Sequence, residues 1–252
     1  MLKRSRPLIL AYNLWGKLAF NVSEKHLIQS PAIQSLVTSG NLYLCPLINF
    51  SKSDILSRAQ RFETKIMSTL ENINEDKIDI VAYSMAGLDL KVVLQENKNL
   101  ADKVQNYVTV GTPHCGTLLS VIYNSNQLDS SHLEKSNLST GVHYSDLMEC
   151  NEENMQRLND YLEPYDHIRY HSIAGDKAFQ DQSKAYQRIS KQLLESRINN
   201  GHIFNDGLFF EDEVRTDTNS ITLNADHLEL SPVSIMRDQD HYGHILKYLS
   251  SY

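Results

Sequence analysis

A serine flanked by small residues is the first group in the sequence whose position suits chemistry. Ser84 lies in the segment AYSMAG (82–87), where a predicted strand meets a predicted helix. A serine on so tight a turn adopts strained backbone dihedrals, and small neighbours let the helix approach the strand so that the hydroxyl is exposed. The segment follows the G-x-S-x-G pattern of a nucleophile turn with alanine for both glycines, although a serine at a helix start is also a common N-cap. Ser84 is therefore a candidate nucleophile.

A serine nucleophile requires two partners elsewhere in the chain. Its hydroxyl needs a histidine to take the proton and an acid to orient that histidine. On a parallel sheet with such a turn, the groups follow in the order serine, acid, histidine, on loops after late strands. Asp206 lies in an Asn-Asp-Gly turn, and His227 comes just beyond the last predicted strand. Asp176 also ends a predicted strand and stays an alternative acid, but we favour Asp206 with His227.

Other histidines compete for the role of base, since the chain has 10. His114 follows the fourth predicted strand, at the correct edge of the sheet but too early in the chain order. His241 and His244 lie three positions apart on a predicted helix, without a nearby carboxylate cluster, which is more typical of surface residues than of metal ligands. We therefore predict no metal site and no cofactor.

Two backbone N–H groups must meet the negative charge that develops on a substrate carbonyl oxygen, forming an oxyanion hole. We expect one donor to be the N–H of Met85, directly after the nucleophile. The second should come from the loop after the first predicted strand, residues 12–16, and we choose the N–H of Leu14. Loss of one such donor costs roughly a hundredfold to a thousandfold in rate.

Alternating strand and helix patterns must position these groups. Short apolar runs predict strands buried on both faces, and apolar residues repeating every three or four positions predict helices. The predicted strands are 8–12, 42–48, 77–83, 107–110, 167–174 and 220–223. The predicted helices are 31–39, 55–73, 85–94, 152–162, 186–198 and 235–249. This order predicts an α/β fold with a mostly parallel sheet, helices on both faces and a site at the carboxyl ends of the strands.

Length and composition indicate one globular domain over residues 1–252, with 118–165 as a polar, lid-like excursion. The hydrophobic fraction is 41%, and no apolar run approaches the roughly 20 residues of a transmembrane segment. A net charge of -7 without a stripe of Lys and Arg argues against nucleic acid as a partner. Three widely spaced cysteines favour a reducing compartment, so we expect an intracellular protein, cytoplasmic or mitochondrial.

Four segments in chain order resemble the triacylglycerol lipase family of the α/β-hydrolase superfamily, of the bacterial and fungal mitochondrial type. They are AYSMAGLD (82–89), GTPHCG (111–116), NDGL (205–208) and DHLE (226–229). The resemblance implies an α/β-hydrolase fold in which Ser84, Asp206 and His227 hydrolyse a lipid or small ester through an acyl-enzyme. It also allows peripheral contact with a membrane. The calcium site of bacterial members is not expected, because Glu229 matches one ligand position and the sequence offers no convincing second ligand.

Departures from the family pattern lead to alternative functions. The family has His-Gly at the end of the first strand, where this chain has Tyr12-Asn13. Asparagine is the commonest non-glycine residue at positive φ, so Asn13 offers part of the backbone freedom of glycine. Ala82 and Ala86 add two methyl groups beside the nucleophile. One alternative is an inactive or weakly active lipase-like binding module or subunit, and another is a thioesterase or acyltransferase with the same triad.

Overall fold

The computed structural model describes residues 6–15, 33–49, 54–124, 149–182, 187, 191, 209, 211–215, 220–225, 227, 230–232, 241–244, 246 and 249. The strands in these ranges are β1 Leu8–Trp15, β2 Leu42–Asn49, β3 Ile78–Tyr83, β4 Val104–Val110, β5 Arg169–Gly175 and β6 Ser220–Leu223. The α-helices are α1 Gln34–Thr38, α2 Ile55–Leu70, α3 Ala86–Glu96, α4 Lys98–Ala101, α5 Leu118–Asn124, α6 Glu152–Tyr161 and α7 Glu211–Val214. Short 3-10 helices cover Phe179–Asp181 and His241–His244.

The described strands form one parallel sheet in the order β2-β1-β3-β4-β5-β6. The strand β3 lies at its centre between β1 and β4, and all six of its residues are buried. A strand covered on both faces needs apolar side chains at every position, which explains the unbroken apolar runs in the sequence. The predicted α/β architecture with a parallel sheet is confirmed.

Successive side chains of the central strands pack into two hydrophobic layers, one on each face of the sheet. Leu8 and Leu10 of β1 join the layer that α1 covers. Ile9 and Ala11 join the opposite layer, which α2 and α3 cover. Because neighbouring side chains of a strand point to opposite faces, this division places helices on both sides of the sheet, as predicted.

The strand β2 contains a proline and lies at the edge of the described sheet. Pro46 is in register with Tyr12 of β1. Proline has no N–H to donate, and an edge strand tolerates it because the strand has a neighbour on one side only. The sequence predicted this strand with the proline inside it, and the observed bounds extend the prediction by one residue to Asn49.

The helix α2 follows the period predicted for it. Its N-cap is Asp54, whose side chain accepts a hydrogen bond of 2.7 Å from the N–H of Ser57. The buried face consists of Ile55, Arg58, Ala59, Phe62 and Ile66. Arg58 is the charged member of this face, and a buried cation requires a partner.

Several predicted elements differ from the structure or lie outside the described residues. Within the predicted helix 31–39, the described α-helix is Gln34–Thr38. The predicted helix 186–198 is outside the described residues except for 187 and 191, and 235–249 except for 241–244, 246 and 249. In the predicted lid, α5 and α6 lie near its two ends, and 125–148 are outside the described residues. Among the helices described, none is both long and apolar enough to cross a bilayer.

Candidate active site

The turn between β3 and α3 places Ser84 in a strained conformation. Its φ is 55°, in the left-handed region that non-glycine residues rarely adopt. Three hydrogen bonds hold the turn. The Ser84 N–H donates to the Val110 carbonyl at 2.7 Å, and the Ser84 carbonyl accepts from the Gly87 N–H at 3.0 Å and from the Thr112 hydroxyl at 2.8 Å. The neighbouring strand β4 and the loop after it therefore fix the conformation that presents the hydroxyl.

Small residues around Ser84 have different roles in this turn. Ala82 and Ala86 are fully buried in the core, so their methyl groups are accommodated. Gly87 is the position that excludes a side chain, because a Cβ there would lie 2.3 Å from Oγ1 of Thr112. The close approach of Gly87 to Thr112 thus supplies the space that the hydrogen bond from Thr112 to Ser84 needs.

His227 lies beside the Ser84 hydroxyl. The distance from Nε2 of His227 to Oγ of Ser84 is 3.0 Å, and the histidine is fully buried. Tyr83 donates a hydrogen bond of 2.6 Å to the His227 carbonyl, and the two rings are 5.0 Å apart. Phe209 packs edge-on against the imidazole with ring centroids 5.0 Å apart. The imidazole is therefore oriented toward the serine by packing on two sides.

The two candidate acids differ in what the structure describes. Asp206 lies outside the described residues. Asp176 directly follows β5 at its carboxyl end, where its N–H donates a hydrogen bond of 2.8 Å to the carbonyl of Leu223. The choice between the two acids stays the prediction made from the sequence.

Both candidate oxyanion-hole donors lie at the carboxyl edge of the sheet. Met85 is buried at the N-cap of α3, and within the described part of the chain its N–H has no hydrogen-bond acceptor. Leu14 was expected in a loop after the first strand, but β1 continues to Trp15, and Leu14 is in register with Ile48 of β2. The strand is longer than predicted because β2 runs beside it as far as Asn49.

Asn13 has a different role from the one that the sequence suggested. It lies within β1 in register with Leu47, and it is not among the described residues with positive φ. The interpretation of Asn13 as a replacement for a left-handed glycine is therefore wrong. Instead, Nδ2 of Asn13 donates a hydrogen bond of 3.2 Å to Oδ2 of Asp89.

Asp89 belongs to a buried ion pair behind the turn. Nε of Arg58 lies 2.9 Å and 3.1 Å from the two carboxylate oxygens of Asp89, and neither side chain is exposed. Burial raises the pKa of Asp89 to about 7, while Arg58 and Asn13 act in the opposite direction. Sequence reasoning missed this pair, although the Arg within the apolar stripe of α2 was a signal for it.

Tyr83 and Phe209, which orient His227, were also missed. Tyr83 precedes the nucleophile and could have been singled out for that reason, whereas nothing local marks Phe209.

The competing histidines occupy other environments. His114 is buried, with Nε2 2.8 Å from the hydroxyl oxygen of Thr109, and burial lowers its pKa well below the usual value. His241 and His244 begin and end a 3-10 helix. Among the residues that the structure describes, no three His, Cys, Asp or Glu side chains are grouped so that they could hold a metal ion.

Comparisons with known proteins identify the fold. No family model matches the sequence, and no curated protein matches it in a sequence search. The mature lipase BlEst2 of Bacillus licheniformis has a TM-score of 0.70 at 18% identity, covering 97% of this chain and 91% of that one. The metagenomic carboxyl esterase MGS0156 gives 0.66 at 16% identity, covering 99% and 77%. Lipase 1 from Pelosinus fermentans gives 0.63 at 12% identity, covering 99% of both chains.

These similarities confirm the predicted α/β-hydrolase fold, with a parallel sheet and helices on both faces. The chain is similar in structure to lipases and esterases of bacterial and metagenomic origin. At sequence identities of 12–18%, TM-scores of 0.63–0.70 show a common fold. The resemblance to the fungal mitochondrial type stays a prediction.

Proposed function

We propose that this protein is a serine hydrolase that cleaves carboxylic esters of a lipid-like substrate through an acyl-enzyme on Ser84. The observation that carries the proposal is the 3.0 Å distance between Nε2 of His227 and Oγ of Ser84, on a turn where Ser84 has a φ of 55°. A hydroxyl at this distance from an imidazole is within proton-transfer reach. A left-handed serine has a conformational cost, and such strain is concentrated at functional sites.

In the proposed reaction, His227 takes the proton of Ser84 as Oγ attacks the ester carbonyl carbon. The carbonyl oxygen becomes an oxyanion, which the N–H of Met85 stabilises. Leu14, the second proposed donor, lies in the ladder between β1 and β2, so its N–H becomes available when the end of β1 separates from β2 on substrate binding. Collapse of this intermediate breaks the bond to the alcohol, which leaves with the proton from His227. Water then attacks the acyl-enzyme with the same histidine as base, and the carboxylic acid is released.

Asp206 is the proposed acid, and the position of Phe209 supports it. Phe209 contacts the imidazole of His227 and comes three residues after Asp206 in the chain. Three residues of extended chain span at most about 11 Å, so a role for Asp206 beside the imidazole is compatible with the length of chain between it and Phe209. In the proposed role, the carboxylate of Asp206 accepts a hydrogen bond from Nδ1 of His227 and keeps Nε2 free to accept the serine proton.

A lipid-like ester is the proposed substrate class because the structural relatives are lipases and a carboxyl esterase. The stretch 118–165 is the proposed lid over the site, and its exposed Val121 on α5 is an apolar residue suited to contact with a substrate chain or a membrane surface.

Covalent labelling with a fluorophosphonate probe tests the proposal, because the probe reacts with activated serines. The folded wild type should label, whereas Ser84→Ala and heat-unfolded wild type should not. Ser57→Ala, which removes an exposed hydroxyl on α2, is the matched control and should label like the wild type. Hydrolysis of p-nitrophenyl esters of increasing chain length, compared with thioesters, then defines the preferred acyl group.

Failure of folded wild type to label would contradict a hydrolase function. The protein would then be a lipase-like binding module, with the sheet and turn retained and the chemistry lost. A preference for thioesters or for alcohol acceptors over water would redefine the reaction but keep Ser84 as the nucleophile.

A further inference from the structure

A cavity of about 390 Å³ lies beside α3, and its lining does not include the candidate active site. Its lining residues come from α3, the loop after β4, the end of α6, the segment leading into β5, the start of β5 and the residue after α7. Neither Ser84 nor His227 is among them. Lys91, which lines the cavity, is five residues after the first residue of α3, so it lies about 7.5 Å further along the helix than Ala86. The volume is within the range of small-molecule sites.

One wall of the cavity carries a poorly compensated positive charge. Lys91 is partly buried, and burial lowers the pKa of its ammonium. It donates one hydrogen bond, of 3.1 Å, to Oδ1 of Asn159, which is a neutral acceptor. Within the described residues, no carboxylate is close enough to form an ion pair with Lys91. Glu163 also lines the cavity, but it is exposed and does not pair with Lys91. An ammonium has three N–H donors, and in the described part of the chain this partly buried cation has one neutral acceptor and no anionic partner.

A second polar group in the same lining also lacks a partner. His114 is buried, with Nε2 held by the Thr109 hydroxyl at 2.8 Å. Nδ1 of His114 is buried and has no hydrogen-bond partner in the described structure. A buried polar atom without a partner is uncommon and points to a missing ligand or water.

Part of the cavity wall is apolar, and polar side chains, among them Gln95 and Glu163, complete it. Its lining includes Leu94, Leu162, Pro164, Tyr165 and Tyr170. Arg215 adds a second positive charge at an exposed position. Apolar walls with a few polar groups at one side are the usual design of a site that orients a small amphiphilic ligand. The Lys91 ammonium beside such walls matches a molecule with an aliphatic chain and one negative group.

We infer that this cavity is a second ligand site, separate from Ser84, which binds a short or medium-chain carboxylate with its anionic group at Lys91 and its chain against Leu94 and Leu162. The carboxylate supplies the acceptors that the Lys91 ammonium lacks, and a charge-assisted hydrogen bond in a partly desolvated site is among the stronger polar contacts. The inference is independent of the proposed hydrolysis, because binding needs no reaction at the serine.

Cys115 provides a direct readout of occupancy. It lines the cavity and is exposed, whereas Cys45 and Cys150 are buried. Octanoate should therefore slow the alkylation of Cys115 by iodoacetamide in a saturable manner, measured by mass spectrometry. The two buried cysteines serve as internal references for the folded state. Calorimetric titration with octanoate gives the dissociation constant separately.

Matched variants test whether octanoate binds in this cavity or elsewhere on the protein. Lys91→Gln should weaken octanoate binding about tenfold or more, since one charge-assisted contact is lost. Lys98→Gln removes an exposed lysine on α4 that does not line the cavity and should bind like the wild type. Ser84→Ala should also bind like the wild type. Leu162→Trp fills the cavity but leaves Lys91 in place, and it should block binding. This variant tests the site even if Lys91→Gln fails to fold.

Octanol and acetate test the two halves of the ligand, and both should bind far more weakly than octanoate. Equal protection of Cys115 by octanol would overturn recognition of the carboxylate. Absence of saturable octanoate binding, or unchanged affinity in both Lys91→Gln and Leu162→Trp with wild-type melting temperatures, would overturn the site. Loss of binding in Ser84→Ala would assign the ligand to the catalytic site instead.

Discussion

The side-chain amide of Asn13 donates a hydrogen bond to the buried carboxylate of Asp89, with 3.2 Å between Nδ2 and Oδ2. Asp89 is also paired with Arg58, so one carboxylate connects β1, α2 and α3. Asn13 directly precedes Leu14, the proposed second donor of the oxyanion hole, and Asp89 is five residues after Ser84. The contact therefore fixes the strand that carries one donor relative to the helix that follows the nucleophile.

Asn13→Ala tests this positioning role. Loss of the amide frees the end of β1 from α3, so we expect kcat for a p-nitrophenyl ester to fall by about tenfold or more with little change in KM, because an oxyanion contact acts mainly in the transition state. Asp89 keeps Arg58 as its partner, so the fold should persist. The measurement is steady-state kinetics together with the melting temperature.

Asn106→Ala is the matched control for Asn13→Ala. Nδ2 of Asn106 donates a similar bond, of 2.6 Å, to Asp79 near the amino end of the sheet, away from the turn. This variant should lose stability without a specific fall in kcat. Equal kinetic losses in the two variants would mean that Asn13 contributes to stability alone.

The contact of Asn13 with Asp89 also illustrates which features the sequence could predict. The strands and the turn at Ser84 were predicted because their signals are local: apolar runs mark buried strands, and small residues mark the turn. Asn13 and Asp89 are 76 positions apart, and Arg58 and Asp89 are 31 apart. No periodicity links such residues, and a charged side chain on a helix is normally assigned to the surface.

The end of β1 shows the same limit at the level of secondary structure. The apolar run stops at Tyr12, so the prediction ended the strand there, and polar Asn13 suggested a loop. In the structure, pairing with β2 extends the strand to Trp15, and the amide of Asn13 is satisfied by Asp89. Tertiary contacts thus overrode the local polarity, as strand preferences generally depend on context.

Ser84→Gly should be more stable than Ser84→Ala. Both variants lack the hydroxyl, but alanine retains the Cβ that is unfavourable at a φ of 55°, whereas glycine adopts this conformation readily. We expect a difference in the free energy of unfolding of about 1 kcal/mol, measured by urea denaturation. Equal stabilities would indicate that the surrounding hydrogen bonds, and not strain in the turn, determine the conformation.

Gly87→Ala should disturb the nucleophile turn through Thr112. The new methyl group would lie 2.3 Å from Oγ1 of Thr112, so the threonine must move and release the Ser84 carbonyl. We expect destabilisation of about 1–3 kcal/mol, as is typical of overpacking, together with reduced fluorophosphonate labelling. In the double variant with Thr112→Gly, the clash is removed, so the two substitutions should be less than additive in a double-mutant cycle.

Two substitutions test whether Asp206 or Asp176 is the acid that orients His227. Asp206→Asn should keep the fold but lower kcat by about 10⁴-fold, because the amide favours the wrong tautomer of His227. Asp176→Asn, at the carboxyl end of β5, is the comparison and should retain most of the activity. The opposite result, a large loss for Asp176→Asn with an active Asp206→Asn, would assign the acid to residue 176.

His114 should make the protein less stable in mild acid. Burial lowers the pKa of this imidazole well below 6.5, so the folded state keeps it neutral while the unfolded chain takes up a proton below about pH 6.5. The unfolded state then binds more protons, and the free energy of unfolding falls as the pH decreases through this range. Between pH 7.5 and 5.5 this group should contribute a loss of about 1 kcal/mol, which His114→Gln lacks. Urea denaturation of both proteins at the two pH values measures the difference, with exposed His167→Gln as the control that should follow the wild type. Equal losses of unfolding free energy in wild type and His114→Gln would contradict the prediction. They would show that His114 is protonated in the folded state, beside the Thr109 hydroxyl.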